Sequence, residues 1–182
     1  MLKFTIESFN SRIVISRYRF ITSKSWIIRH KKDEYVKLVQ SKDGNRLRAR
    51  SAFKLLEIQK KFNIIRPSDF VIDLGSSPGG WSVVVSDILK LNKNLTNIGL
   101  LCSIDLLEMN PVELIGNSFF IHGDFTSSFV KQEIWRLTSR KPNVILSDML
   151  MNTCGQKQID HIRSIELAKL VVEFAQVNFQ SC

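Results

Sequence analysis

Val71-Ile72-Asp73-Leu74-Gly75-Ser76-Ser77-Pro78-Gly79-Gly80-Trp81-Ser82 reads as an apolar strand, a turn of small residues and the start of a helix. The strand ends at Gly75. The glycines and serines beyond it let a ligand come close to the backbone, because no large side chain stands in the way. Pro78 suits a first helical turn, where no amide donor is needed. In open α/β sheets, ligands bind beyond the carboxyl ends of the strands, where this turn would lie. The glycines are not spaced as G-x-G-x-x-G, so the ligand need not be a dinucleotide. The plainer alternative is a tight turn with no ligand.

On the amino side of this stretch, Arg46–Phe62 has helical periodicity. Ala52, Leu55, Leu56 and Phe62 share a face that Gln59 interrupts, and Lys54 lies off the stripe. Pro67-Ser68-Asp69 breaks the chain before the strand Phe70–Leu74. On the carboxyl side, a helix is expected over Pro78–Leu91, a strand over Gly99–Leu106 and another over Ser118–Ile121. A helix over Thr126–Ser139, a strand over Asn143–Ser147 and a helix over Asp160–Val177 follow. Strands that alternate with helices imply an α/β fold with a doubly wound parallel sheet.

Three acids stand at or just past strand ends: Asp105, Asp124 and Asp148. Parallel strands bring their carboxyl ends to one rim, so the three would share it. Each alone is more simply a turn or capping residue, but together they favour a site. An acid after the second strand can accept both ribose hydroxyls of an adenosine. One after the third can accept the adenine amino group. Asp148 would lie nearest the reacting end of the ligand.

The net charge of +9 is unevenly placed. Residues 1–50 hold 13 Lys and Arg against 4 Asp and Glu, whereas residues 51–182 hold 13 of each. Residues 1–22 are basic, hydroxyl-rich and acid-poor, the composition of a mitochondrial transit peptide; the plainer alternative is a basic tail. Residues 23–50 intersperse Trp26 and Tyr35 among many cations, which suits phosphate contact and base stacking as well as a solvated face. The chain therefore divides into a leader, 1–22, and one domain, 23–182, that opens with the basic segment 23–50. No apolar run approaches the roughly 18 residues that span a bilayer. Cys102, Cys154 and Cys182 form no CxxC pair, and the three histidines form no ligand-spaced cluster with them, so neither a structural zinc nor another metal is expected.

Arg50–Ile58, Asp73–Ser82, Asp105-Leu106-Leu107, Gly123-Asp124-Phe125 and Ser147-Asp148-Met149 follow one another in an order that resembles the FtsJ/RrmJ-type RNA 2′-O-methyltransferases. Ser25-Trp26 and Tyr35-Val36-Lys37 extend the resemblance over roughly residues 23–175. With its basic leader the chain is most similar to the mitochondrial ribosomal-RNA members. The resemblance implies a Rossmann-like methyltransferase fold, S-adenosylmethionine as cofactor, and a uridine of large-subunit ribosomal RNA as substrate. It implies that Gly79 and Trp81 line the methionine side of the cofactor, that Asp105 holds its ribose and that Asp124 holds its adenine. Lys54 and Asp148 match the first two members of the family's Lys-Asp-Lys-Glu set. A lysine that acts as base must be neutral, so Lys54 is expected to be buried or close to another cation.

The family's third and fourth members, a lysine and a glutamate further on, have no counterpart in these residues. The expectation is a domain without its last strands, weak or inactive in catalysis, with the fourth strand as an open edge. After Asp148, Met149-Leu150-Met151-Asn152 lacks the family's proline, which implies a less rigid loop. Two further readings stay open: a non-catalytic RNA-binding or ribosome-assembly module, and an NAD-dependent enzyme that uses Asp105 on the ribose.

Overall fold

The computed structural model describes residues 11–15, 51–90, 98–109, 117–149 and 156–180. Nine elements follow one another: β1 (Arg12–Ile15), α1 (Ser51–Phe62), β2 (Phe70–Leu74), α2 (Gly80–Leu89), β3 (Leu100–Asp105), β4 (Ser118–His122), α3 (Ser128–Thr138), β5 (Val144–Ser147) and α4 (Lys157–Gln180). The five strands form one sheet in the order β1-β5-β2-β3-β4, and every neighbouring pair is parallel. This is the expected α/β architecture.

The strands are continuous apolar runs because both faces of the sheet are covered. On one face Val71, Leu101, Val144 and Leu146 pack with Ala52, Leu55 and Leu56 of α1 and with Trp81, Val84, Val85 and Ile88 of α2. On the other, Ile13, Phe70, Ile72, Leu74, Ile104 and Ile145 meet Val130 and Ile134 of α3 and Val171, Phe174 and Ala175 of α4. Phe125, just before α3, meets the Phe174 ring edge-on at 5.7 Å.

Several expectations shift. Gln59, which breaks the apolar stripe of α1, is buried: its amide donates to the Ile65 carbonyl at 2.7 Å and accepts from the Ile65 amide at 2.9 Å. That clamp folds the chain back after the helix, which Asn63 ends in the left-handed conformation (φ 46°). The helix after the small-residue turn begins at Gly80, not Pro78. Pro78 follows a cis peptide bond within the turn, and the cap is Gly79, whose φ of 102° suits a residue without a side chain. α3 starts two residues later than expected, with the Ser127 hydroxyl accepting from the Val130 amide as its N-cap. α4 runs three residues longer at each end than Asp160–Val177.

The larger correction concerns the fourth strand in the expected order, here β5. It is not an edge. β1, from within residues 1–22, lies beside it with Arg12 opposite Val144 and Ile15 opposite Ser147. A four-residue strand within a basic stretch gives no periodic signal, and its burial depends on a partner more than a hundred residues away. Residues 23–50, the segment after Met149 up to 155, and the helical expectation over 46–50 lie outside the described residues. Among the described residues, no helix is long and apolar enough to cross a membrane.

Candidate active site

The small-residue turn forms the floor of a pocket at the carboxyl rim of the sheet. Ser51, Asp73, Gly75, Ser76, Ser77, Pro78, Gly80, Trp81 and Asp148 line it. β2 delivers Asp73 and the turn, α2 delivers Trp81, and the residue after β5 is Asp148. Gly75 has a φ of 71°, and the Met149 side chain lies where a Cβ at Gly75 would stand. A glycine is required there on both counts.

Lys54 and Asp148 are brought together. The Lys54 Nζ donates to Asp148 Oδ1 at 2.7 Å and Oδ2 at 3.1 Å, with side chains 10% and 14% exposed. Lys54 is off the apolar stripe of α1 yet buried, because it points along the sheet rim to this carboxylate. Of the two settings expected for Lys54, burial or a neighbouring cation, the structure has the burial, with an anion beside it. Burial raises the Asp148 carboxyl above its ordinary range, and the Lys54 hydrogen bond and charge pull it back.

Trp81 lines the pocket and has a second role in the structure. It is 3% exposed and its indole N–H donates to the Ser51 carbonyl at 2.8 Å. It thereby ties the first residue of α1 to α2, and so fixes the helix that carries Lys54. Gly79 does not line the pocket; it sets the backbone between Pro78 and Gly80, which do.

Asp105 ends β3 beside the turn. Its Oδ2 accepts from the Ser77 amide and its Oδ1 from the Leu107 amide, both at 2.8 Å. Asp124 stands past β4 and is exposed. Its Oδ1 accepts from the amide and the hydroxyl of Thr126. It shares the rim but is not a wall of the pocket.

Asp73 is a site residue to which the sequence reading gave no role. It is 1% exposed, on the same side of the sheet as α2. Ser82 donates to its Oδ2 at 2.7 Å, and Ser103 lies 2.9 Å from Ser82. Burial pushes the Asp73 carboxyl up to about 7; the Ser82 bond lowers it, and the charges of Asp148 and Asp105 raise it further. An acid inside an apolar strand was the available signal. Cys102, next to it in the core, is free, with its thiol pushed well up first by burial and then by Asp73. Among the described residues there is no cluster that could hold a metal.

The pocket therefore has two acids in its lining, Asp73 and Asp148, and a third, Asp105, is hydrogen-bonded to the turn beside it. Ser76 Oγ, itself buried, has no hydrogen-bond partner among the described residues. A cationic ligand with polar groups for Ser76 and Asp105 would relieve both the acid cluster and the unpartnered hydroxyl. S-adenosylmethionine, with a sulfonium, an ammonium and a ribose diol, has that chemistry.

Comparison with known proteins agrees. A family model described as FtsJ-like methyltransferase matches residues 47–181. The chain is 38% identical over 164 residues to ribosomal RNA large subunit methyltransferase E of Rickettsia canadensis (strain McKiel), a match that covers 90% of this chain and 69% of that protein. The corresponding protein of Rickettsia akari (strain Hartford) is also 38% identical over 164 residues, with the same coverage. Among solved structures, a ribosomal RNA methyltransferase from Plasmodium falciparum superposes with a TM-score of 0.64 at 26% identity, over 73% of this chain and 72% of that one.

Proposed function

Since the chain belongs to the FtsJ-like methyltransferase family, we propose that it methylates a ribose 2′-hydroxyl of large-subunit ribosomal RNA, at a uridine and in mitochondria. The observation that carries this reading is the Lys54–Asp148 pair at the edge of the small-residue pocket.

Bound in the pocket, S-adenosylmethionine would supply an electrophilic methyl group on a sulfonium. Asp105 would hold the ribose, Asp124 the adenine, and Asp73 with the turn the methionine end. The chain's own task is to align a weak nucleophile and take its proton. A 2′-hydroxyl set beside the Lys54–Asp148 pair would meet a donor and an acceptor fixed to each other at hydrogen-bond distance. Burial makes the Asp148 carboxylate a better proton acceptor than an exposed one. Fixed geometry of this kind supplies several kcal/mol of barrier lowering.

RNA recognition is assigned to the basic residues 23–50. Their charge suits phosphate contact, and they join the described chain at Ser51, a wall of the pocket. The mitochondrial assignment rests on the composition of residues 1–22.

Transfer of labelled methyl groups from S-adenosylmethionine to ribosomal RNA, followed by alkaline hydrolysis, tests the reading. A 2′-O-methyl group blocks alkaline cleavage, so label is expected in alkali-resistant dinucleotides and absent with Asp148→Ala. RNA binding that weakens steeply with salt, with no label transferred, would identify a binding module instead. A fluorescent fusion tests localisation.

A further inference from the structure

Asp73 is a carboxylic acid in an otherwise apolar strand, and the middle of the sheet encloses it. β2 runs between β5 and β3, with Asp73 opposite Leu146 on one side and Ser103 on the other. The residue is 1% exposed, yet it forms part of the wall of the pocket under the small-residue turn. Acids buried to this degree are rare unless a cation pairs with them. Here a hydroxyl meets the carboxyl instead. Ser82 Oγ donates to Asp73 Oδ2 at 2.7 Å and lies 2.9 Å from Ser103 Oγ, and both serines are buried. Ser103 can donate to Ser82 while Ser82 donates to Asp73, which leaves the other carboxyl oxygen to hold or lose a proton.

Charged groups approach this carboxyl from each neighbouring element. Asp148 follows β5 and Asp105 ends β3; both make ionisation of Asp73 harder. β3 also brings Cys102, whose thiol burial keeps protonated. From α1 comes Lys54, whose ammonium is held by Asp148 at 2.7 Å. α2 supplies Ser82, and its one ionisable residue, Asp87, lies five positions further along the helix. Burial is the largest influence and sets the Asp73 carboxyl at about 7. A positive charge brought beside a carboxyl in such a setting favours its ionised form.

We propose that Asp73 gives up a proton to solvent when a cationic ligand enters the pocket, and that the pocket thereby favours a positively charged methyl donor over the uncharged product left after transfer. This rests on the reading that S-adenosylmethionine binds here. In the reaction the methyl group moves from sulfur to the ribose oxygen, the electrons of the broken S–C bond stay on sulfur as a thioether, and the hydroxyl proton passes to its acceptor. With the sulfonium gone, Asp73 takes a proton back from solvent and the product is held less tightly.

Isothermal titration of the full chain in two buffers of different ionisation enthalpy counts the protons released. With S-adenosylmethionine, release of more than about half a proton is expected at pH 6 and little at pH 8, while affinity rises about tenfold between them. S-adenosylhomocysteine keeps the ammonium but lacks the sulfonium, so its proton release is expected to be smaller by about half or more. Asp73→Asn is expected to abolish the release and to hold donor affinity within about twofold across the same range. Ser82→Ala, which removes the hydroxyl that eases ionisation, is expected to move the midpoint of the affinity rise to higher pH, and it decides where Asp73→Asn does not fold. Donor binding with no proton released, equal release by donor and product, release that survives in Asp73→Asn, or an unmoved midpoint in Ser82→Ala would overturn the inference and leave the cofactor reading standing. No donor binding at either pH would overturn both.

Discussion

Asp69 and Asp73 stand at opposite ends of one strand, β2, and both carboxyls are raised first by burial. Their surroundings then diverge. Asp69 has Arg12 and Arg66 to pull it back, and a backbone amide besides. Among the described residues, Asp73 has the Ser82 hydroxyl in its favour, and Asp148 and Asp105 push it further up. The amino end of the sheet pairs its buried acid with cations, although Arg12 Nη1 is buried without a partner among the described residues. The carboxyl end holds acids that repel one another and a buried hydroxyl, Ser76, likewise without a partner among the described residues. Folding alone gives no reason to assemble the second arrangement, whereas a cationic ligand does.

Substitutions separate the two ends. The largest effect is expected from Asp148→Asn: methyl transfer falls about 100-fold or more, while the chain stays folded with a lowered melting temperature, since Lys54 is left buried without its anion. An activity within a few-fold of the parent would remove this pair from the mechanism. At the other end, Asp69→Ala leaves the Arg12 cation buried without its partner, a loss of about 3 kcal/mol. For a domain of this size that lowers the melting temperature by about 6–12 °C, with S-adenosylmethionine affinity retained by the chains that stay folded. An unchanged melt would show that the amino-end cluster is not structural.

The third comparison uses pH. The folded Asp73 carboxyl titrates at about 7, above its ordinary 3.8. Between those values the folded chain keeps a proton that the unfolded chain releases, so this group's contribution to stability falls as pH rises from about 4 to 7 and levels off above. Asp73→Asn is expected to flatten that slope in denaturant titrations at pH 5 and pH 8; an unaltered slope would place the titration elsewhere. The smallest effect is at a site remote from both ends: Ser127→Ala removes the N-cap of α3 at a cost of about 1 kcal/mol, or about 2–4 °C, with methyl transfer untouched.

The same contrast explains what could be read from the residues alone. β2, β3 and β5 were legible because strands buried on both faces are apolar runs, and the turn after β2 because only small residues fit it. Asp148 was legible as an acid at a strand end, whereas Lys54 was legible through family resemblance and not through periodicity. β1 was not legible, because its apolar residues bury against elements distant in sequence, and Arg12 makes the segment look like exposed basic chain. Pro78 suggested a helix start two residues too early, since the cap is Gly79 and the helix begins at Gly80. Asp124 was placed on the correct rim, but nothing in its spacing from β4 shows that it stands clear of the pocket. The value of Asp73 as a site residue depends on Asp105 and Asp148 converging on it, which only the sheet order brings about.

Isothermal titration of the full chain with S-adenosylmethionine at pH 8, beside Asp105→Ala, tests the central claim most directly. Saturable binding at one site is expected, weakened about tenfold or more in the variant, whose carboxylate no longer meets the ribose. No binding by the parent chain, or equal binding by the two, would contradict the assignment of the carboxyl rim as the cofactor site.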